Sequence, residues 1–158
     1  MSKKQFVFVS VGSTDFDDLI RAVDSLIPSL GFSGIMQIGH GKYKPANLPF
    51  FRFSPSLNDF YKQANIAIAH GGLATTIEIL KQRIRLVSVS NPDRYDKHQD
   101  DLISTLAEQG FLVWCRNLKN LNQAISLALD NDFKFYHPPK CTIHLVIKKF
   151  LNNNYPKI

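Results

Sequence analysis

The sequence is poor in cysteine. Cys115 and Cys141 are the only two and show no CxxC spacing, so neither a disulfide framework nor a cysteine zinc site is indicated. No apolar run approaches the roughly 20 residues needed to cross a bilayer. The opening "MSKKQFVFVSVG" begins basic, but its apolar stretch is too short for a secretory signal and stops at Gly12. No GxxxxGK[ST] occurs, which excludes a P-loop NTPase. No GxGxxG follows the first apolar run either, and "GHGKYK" at 39–44 supplies only two glycines. The five histidines (His40, His70, His98, His137, His144) form no HExxH or comparable pair. These absences predict a cytosolic protein with no resident metal or cofactor. Acidic residues are also in deficit, 13 against 19 lysines and arginines, for a net charge of +6. That charge suits nucleic acid, anionic lipid headgroups or a phosphorylated ligand. No stripe of basic residues interleaved with aromatics is present, so nucleic acid is not the expected partner.

What is present is ordinary for a globular chain: 158 residues, 44% hydrophobic and 20% charged. The length predicts one domain over 1–158 that buries about two thirds of its unfolded surface. Six runs read as strands: "QFVFVSV" (5–11), "SGIMQIG" (33–39), "FFRF" (50–53), "IAIAH" (66–70), "RLVSVS" (85–90) and "FLVWC" (111–115). The first is followed by "DFDDLIRAVDSLI", in which Phe16, Leu19, Ile20, Val23, Leu26 and Ile27 share one helix face. Further helices are expected near 56–64, 73–82, 96–109, 118–129 and 141–152, with Ser56 as an N-cap and Gly110 as a C-terminal stop. Strands apolar at nearly every position are buried on both faces. The expected fold is therefore α/β, a doubly wound parallel sheet of Rossmann-like form. The basic segment from Phe133 reads either as the last helix of the domain or as a docking tail.

In such sheets ligands bind beyond the carboxyl ends of the strands. Three loops there carry the candidate residues. In "IAIAHGGLATTIEIL", Gly71 and Gly72 end a buried strand and a helix starts at once near Leu73, Ala74 and Thr75. The pair either makes a tight strand-to-helix turn, or lets a phosphate approach backbone N–H groups at the positive end of the helix dipole. In "VSVGSTDFDDL", Gly12, Ser13 and Thr14 sit at the equivalent place after the first strand, where Ser13 or Thr14 would cap a helix or face a polyanion. In "NPDRYDKHQDDL", Asn91 opens a turn after the fifth strand, and His98 and Gln99 fall in the first turn of the next helix. Both side chains donate and accept, as a polyhydroxylated ligand requires. Alternatively they are solvated surface. Glu78, one turn into the helix after the glycines, either faces water or accepts from a vicinal diol. His70 either touches a phosphate or the attacking hydroxyl, or only ends its strand.

"VGSTDFDDLI", "AHGGLATTIEIL" and "NPDRYDKHQ", in this order and spacing, resemble the C-terminal, nucleotide-sugar half of GT-B glycosyltransferases of the MurG type. The closest likeness is to its small stand-alone form, the soluble subunit of two-piece N-acetylglucosaminyltransferases of dolichol-linked glycan and bacterial exopolysaccharide assembly. The resemblance covers about residues 5 to 130. It implies that Gly71, Gly72, Leu73, Ala74 and Thr75 hold the diphosphate of a UDP-sugar, and that Gly12, Ser13 and Thr14 face it. Glu78 would bind the ribose hydroxyls, Gln99 with His98 would read the sugar, and Phe53 and Ser54 would form the uracil pocket. It further implies inverting transfer in which helix ends, not a metal, stabilise departing UDP. Phe53 reads equally as plain strand.

Asp15-Phe16-Asp17 and Asp130-Asn131-Asp132 spell the Asp-x-Asp of metal-dependent glycosyltransferases, but one lies in a helix's opening turn, where acids are favoured anyway, and the other in a turn-like run. A complete enzyme of the resembled type carries its acceptor site in a second domain. The resemblance therefore implies a membrane-associated, acceptor-binding partner subunit and a lipid-linked saccharide acceptor. It places this chain, moving a hexose or N-acetylhexosamine, GlcNAc first among them, at the cytosolic face of a membrane. The tail 133–158 joins Lys134, Lys140, Lys148, Lys149 and Lys157 to an apolar set, Ile143, Leu145, Val146, Ile147, Phe150 and Leu151. That set would pack on the partner with lysines toward headgroups, or back on its own domain. A non-catalytic UDP-sugar-binding module is the alternative function.

Overall fold

A computed structural model of the chain describes residues 4–93 and 98–154. Its elements in order are β1 (Phe6–Ser10), α1 (Asp17–Ser29), β2 (Ser33–Gln37), β3 (Phe50–Phe51), α2 (Asn58–Gln63), β4 (Ile66–His70), α3 (Leu73–Lys81), β5 (Arg85–Val89), α4 (His98–Glu108), β6 (Val113–Cys115), α5 (Leu121–Asp130) and α6 (Ile143–Asn154). A single 3-10 turn, Leu118–Asn120, leads into α5.

The strands form one sheet in the order β3-β2-β1-β4-β5-β6. Every pairing is parallel, with Phe8 opposite both Ile35 and Ala67, Ala67 opposite Leu86, and Ser88 opposite Trp114. The chain runs outward from β1 to β3, then returns to lay β4 on the other side of β1. The switch point lies between β1 and β4, where an open parallel sheet forms its crevice.

Alternate residues of one strand feed two cores. Val7 and Val9 pack with Leu19, Ile20, Val23 and Ile27 of α1 and with Ile125 and Ala128 of α5. Phe8, Ala67 and Ala69 pack on the opposite side with Tyr61, Ile79, Leu80, Ile103 and Leu106. Both faces are thus covered, which is why β1, β4 and β5 are apolar at nearly every position.

Several local expectations shift. β3 stops at Phe51 instead of 53. It is an edge strand with β2 as its partner, and the Arg52 guanidinium turns back to donate to the Gly39 and Gly41 carbonyls at 2.9 and 2.8 Å. Ser56 lies two residues ahead of α2, and its Oγ accepts from Asn58 N–H at 3.3 Å. Neither Ser13 nor Thr14 caps α1: the N-cap position is Phe16, and the Thr14 hydroxyl donates back to Val11 O at 2.9 Å. Gly110 does end α4, at φ +81, where any side chain would be strained.

After α5 the chain docks before it leaves. Lys134 N–H donates to Gly110 O at 3.0 Å, the Arg83 guanidinium lies 4.5 Å over the Phe135 ring, and Phe111 meets Tyr136 edge-on at 5.5 Å. The helix that follows does not pack back. No residue of α6 is buried, and Ile143, Val146, Ile147, Phe150 and Leu151 on one of its faces all stand exposed.

Candidate functional site

Three turns converge at the carboxyl ends of β1, β4 and β5. At β1 the turn begins with Gly12 at φ +62, a left-handed conformation that favours glycine. A Cβ there would lie 2.9 Å from His70 Cε1 and 3.4 Å from Thr75 Oγ1. The turn is held from below by buried polar groups. Gly12 N–H donates to Ser10 Oγ at 3.1 Å, and Ser10 Oγ–H donates to Gln37 Oε1 at 2.7 Å. Ser13 is exposed at the tip and Thr14 half-buried.

At β4 the two glycines have different causes. A Cβ on Gly71 would fall 2.2 Å from Ile103 Cδ1, so Gly71 is what allows α4 to close on the sheet. A Cβ on Gly72 would fall 2.3 Å from His70 Nε2. Both spaces are taken by the protein's own side chains rather than kept open for a ligand. Gly72 is also the N-cap of α3, and among the described residues no side-chain hydrogen bond caps that helix. Its first N–H groups, at exposed Leu73 and Ala74 and half-buried Thr75, therefore point out at the positive end of the dipole without a side-chain acceptor. His70 is buried at 6% exposure, with Nδ1 3.5 Å from Ser10 O. It is the packing centre where both turns meet.

Glu78 is exposed on α3. It neighbours the buried Tyr61 hydroxyl, whose pKa is pushed up first by burial and then by the Glu78 charge. At β5, Asn91 Nδ2 donates to Asp15 O at 3.2 Å, tying the β5 turn to the start of α1. Gln99 lies against the position of the missing Gly71 side chain, and its Oε1 is buried with no hydrogen-bond partner among the described residues. His98 is the first residue of α4; its side chain lies outside the described residues.

At the β3 end Phe53 is 52% exposed, and the Ser54 hydroxyl donates to Ser56 O at 2.7 Å. The exposure sets aside the plain-strand alternative for Phe53. Its ring contacts that of His40, centroids 5.0 Å apart. His40 was not singled out by motif, and neither were Ser10 or Gln37. The legible signal was a polar residue closing an otherwise apolar strand. The Asp-x-Asp spellings lead elsewhere: both Asp17 oxygens accept from Lys42 N–H, at 2.9 and 3.1 Å, and Asp130 ends α5. Among the described residues no group of three His, Cys, Asp or Glu is placed to hold a metal.

Residues 6–152 match the glycosyltransferase family 28 C-terminal domain. The chain belongs to that family. As a family 28 domain it is 38% identical over 137 residues to the human UDP-N-acetylglucosamine transferase subunit ALG13, a match covering 77% of this chain and 12% of the human protein. The chain thus spans only a small part of that curated relative's length. Among solved structures, MurG of Acinetobacter baumannii superposes with a TM-score of 0.59 at 22% identity, covering 82% of this chain and 42% of that one. An ALG13 solution structure superposes at 0.59 with 15% identity, covering 94% and 95%. At these identities both likenesses speak for the fold, a Rossmann-like half of a GT-B glycosyltransferase. The candidate site of this family 28 domain is the pair of turns at its switch point.

Proposed function

We propose that this domain is the donor-binding subunit of an inverting, metal-independent glycosyltransferase. It takes a hexose or N-acetylhexosamine, GlcNAc first among them, from its UDP-sugar and delivers it to a lipid-linked acceptor held by a membrane-associated partner. The observation that carries this reading is the meeting of the Gly12 turn with the uncapped start of α3 around His70, in a chain of family 28. Backbone N–H groups fixed in place before a diphosphate arrives stabilise the charge that develops on departing UDP without reorganising. Glu78 accepts from the ribose diol, Phe53 packs on the base, and Gln99 with His98 reads the sugar. The human relative's name, a UDP-N-acetylglucosamine transferase subunit, supports the choice of sugar. The unpacked face of α6 supports a docking role for the tail.

The test is a calorimetric and thermal-shift screen of UDP, UDP-GlcNAc, UDP-galactose, UDP-glucose and GDP-mannose. A ligand at 100 times its Kd adds about 2.7 kcal/mol of stability. Stabilisation by the uridine compounds and none by GDP-mannose is the expected result. No binding of any UDP compound sinks the reading. Binding without transfer when a partner-containing membrane is supplied favours the non-catalytic module.

A further inference from the structure

Resting on the donor-site reading above, we propose that Gln37 is a positioning residue for the diphosphate. It acts through the Ser10 hydroxyl, which holds the Gly12 turn in its binding form.

The two side chains meet at the carboxyl end of the β1–β2 ladder, directly below that turn. Further down, Phe8 lies opposite Ile35 and Val9 opposite Met36, apolar against apolar. The last pair, Ser10 opposite Gln37, is the one polar on both sides. Both residues are buried, Ser10 at 1% and Gln37 at 7% exposure. The stability of the sheet does not call for them. An apolar pair of similar shape is nearly neutral in such a place, whereas one polar partner left without the other is costly. What an apolar pair cannot do is accept the Gly12 N–H, and Ser10 Oγ accepts it at 3.1 Å.

A hydroxyl has one hydrogen and two lone pairs. Gln37 Oε1 takes the Ser10 hydrogen at 2.7 Å, which leaves the lone pairs of Ser10 Oγ for the Gly12 N–H. Without that acceptor the hydroxyl is free to rotate, and the Gly12 N–H loses its fixed partner. The rest of the turn is committed as well. Thr14 N–H and Oγ1–H donate to Val11 O at 3.2 and 2.9 Å, and Thr14 O accepts from His40 N–H at 3.0 Å. Gly39, at φ +52, packs so closely that a Cβ on it would lie 2.7 Å from Gly12 O. Of the three backbone N–H groups at 12–14, that of Ser13 is left with no acceptor among the described residues. It stands at the exposed tip, where the donor reading brings the diphosphate. A donor group fixed beforehand spares binding the cost of ordering it. Ser10 also braces the second turn, since its carbonyl lies 3.5 Å from His70 Nδ1.

The experiment titrates UDP calorimetrically into the wild type, Gln37→Met and the double variant Ser10→Ala/Gln37→Met, with thermal melts of the ligand-free proteins. Gln37→Met keeps the bulk and removes the acceptor. It is expected to lower both Tm and UDP affinity, the latter by about three- to tenfold. The double variant, apolar at both places, is expected to recover the stability but not the affinity. A residue that only filled space would regain both together, so recovery of UDP affinity overturns the proposal. Unchanged affinity in Gln37→Met overturns it too, as does a double variant no more stable than the single one, which would show the pair serving the fold. Should Gln37→Met fail to fold, the double variant decides alone, and UDP bound as tightly as by the wild type overturns the role. Failure of the wild type itself to bind UDP sinks the donor reading, and this role with it.

Discussion

Glu78 and Asp24 are carboxylates with opposite surroundings, and each invites its own test. Glu78 is exposed on α3, where a ribose diol would be held by charge-assisted bonds. Its replacement by Ala should cost roughly 1.5–3 kcal/mol of UDP affinity, about 10- to 150-fold, and leave pyrophosphate affinity unchanged. Calorimetry with both ligands checks this, and equal losses would make the residue structural. Asp24 is only 1% exposed and accepts from Tyr43 Oη–H and from the backbone N–H groups of Ala46, Asn47 and Leu48. Burial pushes its pKa up, but these donors, Ala46 and Asn47 foremost, outweigh burial and hold it below the ordinary 3.8. A depressed carboxylate contributes stability that is full above its unfolded value and is lost as pH falls through the folded one. Asp24→Asn sets an amide N–H₂ against N–H donors and should destabilise by at least the roughly 1.5–3 kcal/mol of one charge-assisted bond. Urea melts between pH 7 and pH 2.5 should show the wild-type advantage shrinking only at the acid end.

At the scale of elements, the seam between β4 and α4 is set by one missing methyl group. Gly71→Ala places a Cβ 2.2 Å from Ile103 Cδ1 and 3.3 Å from Gln99 Cβ. Overpacking of this kind costs about 1–3 kcal/mol. Ile103→Val removes the Cδ1 and should be less destabilising in the Gly71→Ala background than in wild type; additive losses would mean that Gly71 is needed for its backbone instead. The sequence made these elements legible because strands buried on both faces leave an unbroken apolar record, and because glycines at strand ends stand out in β1 and β4. It also brought out Asn91 and Gln99, which the structure sets beside the same sheet edge. What it left hidden depends on lateral neighbours. Ser10 meets Gln37 across two strands, and His40 meets Phe53 across a loop. The reason for Gly72 was hidden likewise, since the group that excludes its side chain is His70, a residue read for its chemistry and found acting as a packing partner.

The whole molecule presents a candidate donor site, an open edge at β6 and a helix that shares no core with the domain. If α6 exists to dock a partner, it adds little to the fold. Deleting residues from Cys141 onward should change stability by no more than about 0.5 kcal/mol and leave UDP affinity as it was, both read by thermal shift. A large drop in Tm would instead show that α6 packs on its own domain in solution. Catalysis should respond differently. General acid–base help contributes typically a factor of 10²–10⁴, and holding acceptor against donor contributes more. Both are missing from this chain if the acceptor and its base reside on the partner. The purified chain should therefore bind UDP-sugar and transfer nothing to a lipid-linked acceptor. Membranes that contain the partner should restore transfer to the full chain and fail to restore it to the truncated one. Vigorous transfer by the chain alone refutes the two-subunit arrangement, whereas rescue that survives the truncation refutes only the role of α6. That separation holds because α6 buries no residue of its own, so its loss leaves the turns at β1, β4 and β5 on the same rigid sheet.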